Sequence, residues 1–392
     1  MTTDFGFLSI LPPILAILLA IRTKQVIVSL VFGLLLGYVI IADWNVFEGS
    51  ILTIERIVGV FESAGNTRTI LFTLLIGALI QLIKYSGGIQ GFVSQIQKRI
   101  LASKNPKSKL QVAAGLTNFF IFIESHISIL TVGTVFQSLF DRFNISRQKL
   151  AYIADSSSAP SCILFPINAW GAYIIGLLAV YDNVPPFKTL LYSIPFNFYP
   201  ILTLILVFYL AASNKSFGPL KAFDNPIINE DKEPIKEEPS GQAKNMLIPL
   251  GVMILSMPLF LIYTGWDSSL DGTFGSRVWE SIGNASGSSA VLYAVTLAVV
   301  FAGISFGMQR KLNLGSFIDQ SMSGMKDMLS MAILMMLAFA IGALCKELGT
   351  GIYVASITES WLSPSLAPAI IFITSCFIAF STGTSWGTFA IM

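Results

Sequence analysis

Charge is what this sequence has least of. Asp, Glu, Lys and Arg together make up 12% of 392 residues, against roughly a quarter in soluble globular chains. The 24 basic and 22 acidic side chains nearly cancel, which excludes a strongly basic nucleic-acid surface or an acidic tail. Three cysteines cannot frame a disulfide scaffold, and a single histidine, His126, cannot build a His-rich metal site. No G-x-x-x-x-G-K-[ST] loop is present, which argues against an ATP-driven machine. What remains is apolar. Hydrophobic residues make up 54% of the chain, with 30 phenylalanines, too many to hide in one aqueous core. The expected class is an all-α polytopic membrane protein.

Crossing about 30 Å of hydrocarbon takes around 20 helical residues. Apolar runs of suitable character fall at about 5–21, 26–42, 69–83, 162–180, 190–212, 246–264, 288–307, 329–345 and 367–380. No Lys or Arg precedes the first run, and Arg22 and Lys24 follow it directly. This suits an anchor with its N-terminus outside rather than a cleaved signal. Asp43, Glu48, Asp182, Asp267, Asp271 and Glu280 then fall outside. Lys84, Lys98, Arg99, Lys104, Lys107, Lys109, Arg142, Arg147, Lys149, Arg310, Lys311 and Lys326 fall in the cytoplasm. The segment 213–245 mixes lysines, acids and prolines and is expected to be a cytoplasmic linker between membrane halves 1–212 and 246–392. The expected location is the cell (inner or plasma) membrane.

The stretch 110–140 is flanked by basic loops on both sides but is too short to cross twice. It is expected to be a re-entrant hairpin. Its middle reads Phe122-Ile123-Glu124-Ser125-His126-Ile127-Ser128, with charge and hydroxyls where a lipid-facing helix has none. Non-helical backbone survives at membrane depth only where protein or a watery cavity surrounds it. The next span, 150–181, carries Asp155-Ser156-Ser157-Ser158-Ala159-Pro160 and then Pro166, Asn168 and Gly171. Pro160 disfavours helix just before it, so a broken helix with an acid at the break is expected.

The second half echoes the first. Ile76-Gly77-Ala78-Leu79 resembles Ile341-Gly342-Ala343-Leu344, each followed by a glycine-rich stretch. Phe120-Ile121-Phe122-Ile123 parallels Phe377-Ile378-Ala379-Phe380, ahead of Ser381-Thr382-Gly383-Thr384-Ser385-Trp386-Gly387-Thr388. By the charge count the first hairpin enters from the cytoplasm and the second, from 367 onward, from outside. That is an inverted repeat. The second repeat stops at Met392 inside an apolar stretch, so a C-terminally truncated sequence is expected.

The motifs Glu124-Ser125-His126, Asp155 to Pro160 and Ser381 to Thr388 resemble the NhaC-type sodium/proton antiporter family of the ion-transporter superfamily, over about 5–392. The resemblance implies two inverted repeats, each with a hairpin and a broken helix meeting near mid-membrane. It also implies sodium exchanged for protons, with no cofactor beyond the transported ions. Members differ in substrate, and a sodium- or proton-coupled organic acid or amino acid carrier of the same fold is the alternative. Members continue past the last motif with an aspartate-containing segment, whose absence here fits truncation.

Within that frame each candidate has a chemical reason. Glu124, costly in hydrocarbon unless paired, can bind Na⁺ when ionised and carry a proton otherwise; the bland alternative is a structural ion pair. Asp155 shares that role, or caps a helix starting near Ser157. Ser125, Ser156, Ser157, Ser158 and Asn168 offer neutral oxygens to a hard cation, though serines also pack membrane helices tightly. His126 titrates near neutral pH or simply bonds across the hairpin. Thr382, Thr384 and Ser385 suit an unwound tip or a small-residue contact. An intramembrane hydrolase using Ser125 or Ser156 with His126 and Asp155 is disfavoured, because adjacent Ser125 and His126 rarely face each other. The expected partners are the small-ion substrate and membrane lipid, with no nucleic acid. A homodimer is left open by the sequence.

Overall fold

The computed structural model describes residues 5–101, 105–122, 125–166, 168–178, 184–223, 241–267, 273–358, 363, 365–382 and 388. Among them every regular element is helical. In chain order the α-helices are α1 (Leu11–Thr23), α2 (Val26–Ile41), α3 (Val46–Gly59), α4 (Ala64–Tyr85), α5 (Gly88–Leu101), α6 (Pro106–Phe120), α7 (Ser125–Arg142), α8 (Arg147–Leu164) and α9 (Ala169–Leu178). They continue as α10 (Pro186–Ser193), α11 (Phe198–Ser213), α12 (Lys244–Gly265), α13 (Phe274–Asn284), α14 (Gly287–Met308), α15 (Leu314–Asp327), α16 (Leu329–Glu347), α17 (Thr350–Thr358) and α18 (Ala367–Thr382). Among the described residues, six helical stretches are long and apolar enough to cross a membrane: Gly6–Thr23, Ala64–Tyr85, Phe198–Phe223, Lys244–Gly265, Gly287–Met308 and Leu329–Glu347. The chain is a multi-pass membrane protein. Its outward apolar residues fit that setting. Leu255, Leu259 and Tyr263 of α12, and Val300, Ile304 and Met308 of α14, are exposed, a belt that would aggregate in water and is at home in lipid.

The polypeptide folds into two compact units, Met1–Leu71 with Met328–Met392, and Phe72–Asp327. In the first, α1 and α2 pack as a hairpin closed by Lys24, which takes a left-handed φ of 56° and donates its N–H to the Ala20 carbonyl. Small residues let the backbones close. A Cβ on Gly33 would stand 3.1 Å from the Pro12 carbonyl, and one on Gly49 would stand 2.6 Å from the Val39 Cα. Helix α3 begins at an Asn45 cap, whose side chain accepts from the Glu48 N–H while its own amide reaches Glu48 Oε2, satisfying orphan donors of the first turn. Helix α16 packs on α2 with Leu344 against Gly37. Arg56 of α3 pairs with Glu347 of α16 at 3.1 Å on the exposed surface, where such a bridge contributes about 0–1 kcal/mol.

In the second unit, α6, α7, α8 and α11 enclose a core built on Leu110, Ala114, Val132, Phe136, Phe140, Leu150, Ile153 and Val207. Beside it, α14 lies along α12. Ala290, Ala294, Ala298 and Ala302 recur every fourth residue on α14 and are fully buried, the small-residue spacing that lets membrane helices approach closely. Asp141, at the end of α7, holds Arg147, at the start of α8, through contacts of 2.8 and 3.0 Å. That pairing raises the Arg147 pKa further above its ordinary range.

Several sequence expectations change in detail. The run at 190–212 is not one helix: Pro195 falls in a 3₁₀ turn, Ile194–Phe196, that separates α10 from α11. Helices α3, α13 and α15 lie in segments expected to be connections, because their apolar residues recur on one face and never form a run. Gly49 supplies a test of the first unit. Gly49→Ala must push a Cβ into Val39 backbone, whereas a Cβ on Gly59 meets nothing within 4 Å. Overpacking of this kind costs about 1–3 kcal/mol. Gly49→Ala is expected to lower the melting temperature of the detergent-solubilised protein by several degrees, and Gly59→Ala to leave it unchanged within about a degree.

Candidate functional site

The hairpin and the broken helix meet around two asparagines. Asn118 lies in the last turn of α6, fully buried. Its side-chain amide donates to the Ala154 carbonyl at 2.6 Å and to the Ser157 hydroxyl at 2.9 Å, both on α8. Its Oδ1 accepts from the Ser128 hydroxyl of α7 at 2.5 Å. One side chain therefore pins three helices, with both donors and the acceptor used. Ser157 in turn donates to the Ile153 carbonyl, and Ser161 to the Ser157 carbonyl.

Asn168 does the corresponding work at the break. Helix α8 ends at Leu164, Phe165 is extended, and α9 begins at Ala169. The Asn168 amide donates to the Cys162 carbonyl at 2.6 Å, one of the acceptors left over at the end of α8. It also donates to the Phe122 carbonyl of the hairpin turn at 2.9 Å. Its Oδ1 accepts from the Gly171 N–H at 3.0 Å, an N-cap for α9. A Cβ at Gly171 would run into the Pro166 carbonyl, so this turn needs glycine. The rings of Phe122 and Phe165 stack at 4.1 Å, and Phe119 meets Phe165 edge-on at 5.1 Å. The hairpin turn is thus attached to the break by one hydrogen bond and an aromatic cluster. The C-terminal ends of α6 and α8, which carry partial negative charge, reach this region, as do the starts of α7 and α9.

The break is not where Pro160 placed it. Helix α8 runs through Pro160 without interruption, because a proline inside a membrane helix is tolerated when serine hydroxyls and neighbouring helices satisfy the backbone around it. Ser161, next to the proline, supplies such a bond to the Ser157 carbonyl. Asp155 is accordingly no helix cap. It sits mid-helix on an exposed face with Ala151 and Ala159, one turn to either side. Ser156 is half-buried, and Ser158 is buried and donates to the Asp155 carbonyl at 3.0 Å. The Asp155-to-Ser158 run is therefore split: Ser157 faces Asn118, and Asp155 faces away. Ser125 is buried at the first position of α7. His126 belongs to α7 and Thr382 to α18. Glu124, Thr384 and Ser385 lie outside the described residues.

Asn118 and Ser128 are the residues that reasoning from the sequence missed. The signal was present: an asparagine inside an apolar stretch is as expensive as a serine cluster and needs a partner just as much. The pattern G-x-S-x-G occurs at Gly303–Gly307 and Gly383–Gly387. The first lies within α14, not on the strand-to-helix turn that a hydrolase nucleophile requires. Removing the Asn118 amide leaves buried hydroxyl and carbonyl groups short of partners, at about 1–3 kcal/mol. Asn118→Ala is expected to lower the melting temperature more than Ser128→Ala, whose hydroxyl donates only to Asn118 among the described residues, a membrane hydrogen bond being worth about 0.6 kcal/mol. Equal, negligible shifts in a thermal-shift assay would contradict the pinning role.

Comparison with known proteins points the same way as the geometry. A protein of Haemophilus influenzae, described only as uncharacterized, is 31% identical over 397 aligned residues, covering 98% of this chain and 76% of its own length. The crystal structure of the Alcanivorax borkumensis YdaH transporter, described as having an unusual topology, is similar in fold. Its TM-score is 0.58 at 15% identity, with 88% of this chain and 71% of that one covered. The model of the Na⁺/H⁺ antiporter family matches residues 3–186 and 161–392, which together take in nearly the whole sequence. The chain is a secondary transporter and not an enzyme, and it belongs to the Na⁺/H⁺ antiporter family, the NhaC-type family that its motifs resemble.

Proposed function

We propose that this transporter exchanges sodium for protons by alternating access in the cell membrane, with Asp155 and Glu124 as the groups that hold either ion. The observation that carries the reading is the placement of Asp155. A carboxylate on the open face of a membrane helix costs about 2.5–3.5 kcal/mol against lipid. Against a water-filled path that cost disappears. Its exposed neighbours Ala151 and Ala159 leave room beside it for a partly hydrated cation. Ser156 and Ser158 lie next to it in sequence as neutral oxygens, and a hard cation is satisfied by a mixture of carboxylate, hydroxyl and carbonyl ligands. No Lys or Arg occurs between Leu110 and Phe140 or between Leu150 and Phe187, which favours a cation over an anionic cargo.

Two further features support the inverted-repeat arrangement on which alternating access would rest. Helix α4 is followed by Gly87 at φ 75° and the short α5; helix α16 is followed by Gly349 at φ 70° and the short α17. Each series then leads to a hairpin position, α6 in one case and α18 in the other. The orientation favoured by the basic loops puts the N-terminus outside and the 213–245 linker in the cytoplasm.

Everted vesicles or proteoliposomes with a preset pH gradient test the exchange. Added Na⁺ is expected to dissipate the gradient, with an apparent KM for Na⁺ that rises as pH falls, because protons compete for the same carboxylates. Asp155→Ala and Glu124→Ala should each reduce the exchange at least about tenfold, a loss of roughly 1.4 kcal/mol or more, while insertion and melting temperature hold. Dissipation by an organic acid or amino acid and not by Na⁺ would overturn the sodium assignment. Full exchange in both mutants would overturn the site.

A further inference from the structure

The likeness of Ile76-Gly77-Ala78-Leu79 to Ile341-Gly342-Ala343-Leu344 extends further once the helices are in place. Setting Gly77 on Gly342 also sets Ala64 on Leu329, the first residues of α4 and α16. The same register sets Gly59 of α3 on Gly324 of α15. It also sets Ser29, Gly33 and Gly37 of α2 on Ala294, Ala298 and Ala302 of α14. From α2 through Leu79 the two stretches therefore match without a gap.

Matched positions are nonetheless used differently. Gly77 of α4 and Gly324 of α15 are both buried, and a Cβ on Gly324 would run into the Gly77 carbonyl. One turn along, the Gln81 amide donates to Gln320 Oε1 at 2.9 Å. Helix α15 is thus fastened on α4. The mates of these glycines are Gly342 of α16 and Gly59 of α3. Gly342 is exposed, and a Cβ on either one meets nothing within 4 Å among the described residues. The mates of Gln81 and Gln320 are Lys346 and Glu55. These carry opposite charge, are exposed, and form no ion pair among the described residues. Helices α3 and α16 touch one position along instead, through Arg56 and Glu347. Each contact lies within one of the two compact units.

A glycine inside a helix weakens it and is useful where another backbone must come close. Gly77 and Gly324 have that use in this conformation; Gly59 and Gly342 do not. We propose that the two contacts form a two-position latch. In this conformation α15 is fastened on α4. In the opposite-facing one α16 closes on α3, with Gly342 against Gly59 and Lys346 paired to Glu55, while the Gly77–Gly324 contact opens. An exposed ion pair is weak, so exchanging Arg56–Glu347 for Glu55–Lys346 adds little barrier. Packed interfaces of this kind are bistable rather than continuously deformable. The inference deepens the alternating-access reading and rests on it, but not on which solute is carried.

Thiol crosslinking in proteoliposomes tests it, in the full chain with Cys345 and Cys376 replaced by serine. Glu55→Cys with Lys346→Cys reports one contact, and Gln81→Cys with Gln320→Cys the other. Moving from sodium-free acid to sodium at alkaline pH is expected to change the two crosslinking yields in opposite directions. Opposite changes driven by an organic acid or amino acid, and not by Na⁺, would support the latch while removing the sodium assignment. Yields that move together, or that no condition alters, would overturn it. Gly342→Leu separates the latch from a packing role, because the new side chain fits the open space of this conformation and blocks the other. Its melting temperature should hold within about a degree while transport falls about tenfold. Gly59→Leu, approaching from the opposite helix, should do the same, and full transport in both variants would also overturn the proposal.

Discussion

Backbone amides and carbonyls at membrane depth must find their partners inside the protein, since lipid offers none. In this structure that constraint falls on the places where helices stop. Asn168 meets it at the break between α8 and α9, using one side chain to satisfy a carbonyl at the end of α8, an N–H at the start of α9 and a carbonyl from the hairpin turn. Asn118 meets it beside Pro160, donating to a carbonyl of α8 while accepting from α7. Together with the Asp141–Arg147 pair between the far end of α7 and the start of α8, these two amides hold the hairpin against the broken helix. The aromatic contact of Phe122 on Phe165 adds attraction without comparable directionality.

The same arrangement separates side chains that hold the fold from those it leaves open. Side chains that were equivalent candidates by composition fall into two sets once α8 is a continuous helix. Ser157, Ser161 and Asn118 bond to one another and to backbone, and their groups are committed to packing. Asp155, two residues before Ser157 and so on nearly the opposite side of the helix, is exposed between two alanines. Under the proposed exchange, this acid would be the group that binds and releases the ion. A rigid frame on one face and an uncommitted carboxylate on the other is a sound division for a transporter, in which the site must be held while its occupant changes.

Close helix contact runs through both units by the same means. Gly49 against Val39, Leu344 over Gly37, and the alanine stripe of α14 along α12 all replace the hydrophobic effect, which is weak between helices already in lipid, with van der Waals contact at short range. Many large apolar side chains, such as Leu255, Leu259 and Ile304, are instead exposed on the outer surface, where lipid covers them. This inverts the pattern of a water-soluble bundle, and it explains why the chain can hold 30 phenylalanines without a core large enough for them.

Much of this was legible from residue order. Length and polarity of the apolar runs predicted the long helices at 246–264, 288–307 and 329–345 to within a few residues of α12, α14 and α16. Those segments depend only on hydropathy over a span of bilayer thickness. The amphipathic α3, α13 and α15 were not visible in that measure, because their apolar residues are spread around a 3.6-residue period. The position of the break was not visible either. Pro160 and Pro166 are equal as breakers in sequence, and the difference between them lies in their neighbours. Ser161 bonds the backbone beside Pro160, while Asn168 and Gly171 stabilise the interruption around Pro166. The sequence by itself determined that this is a membrane transporter, since hydropathy over a bilayer's thickness and the order of its motifs depend on residue type and place in a run alone. Only the tertiary structure decided which polar groups are consumed by one another and which stay open, because a hydrogen bond between residues 36 positions apart, such as Asn118 to Ala154, exists only once the helices have packed.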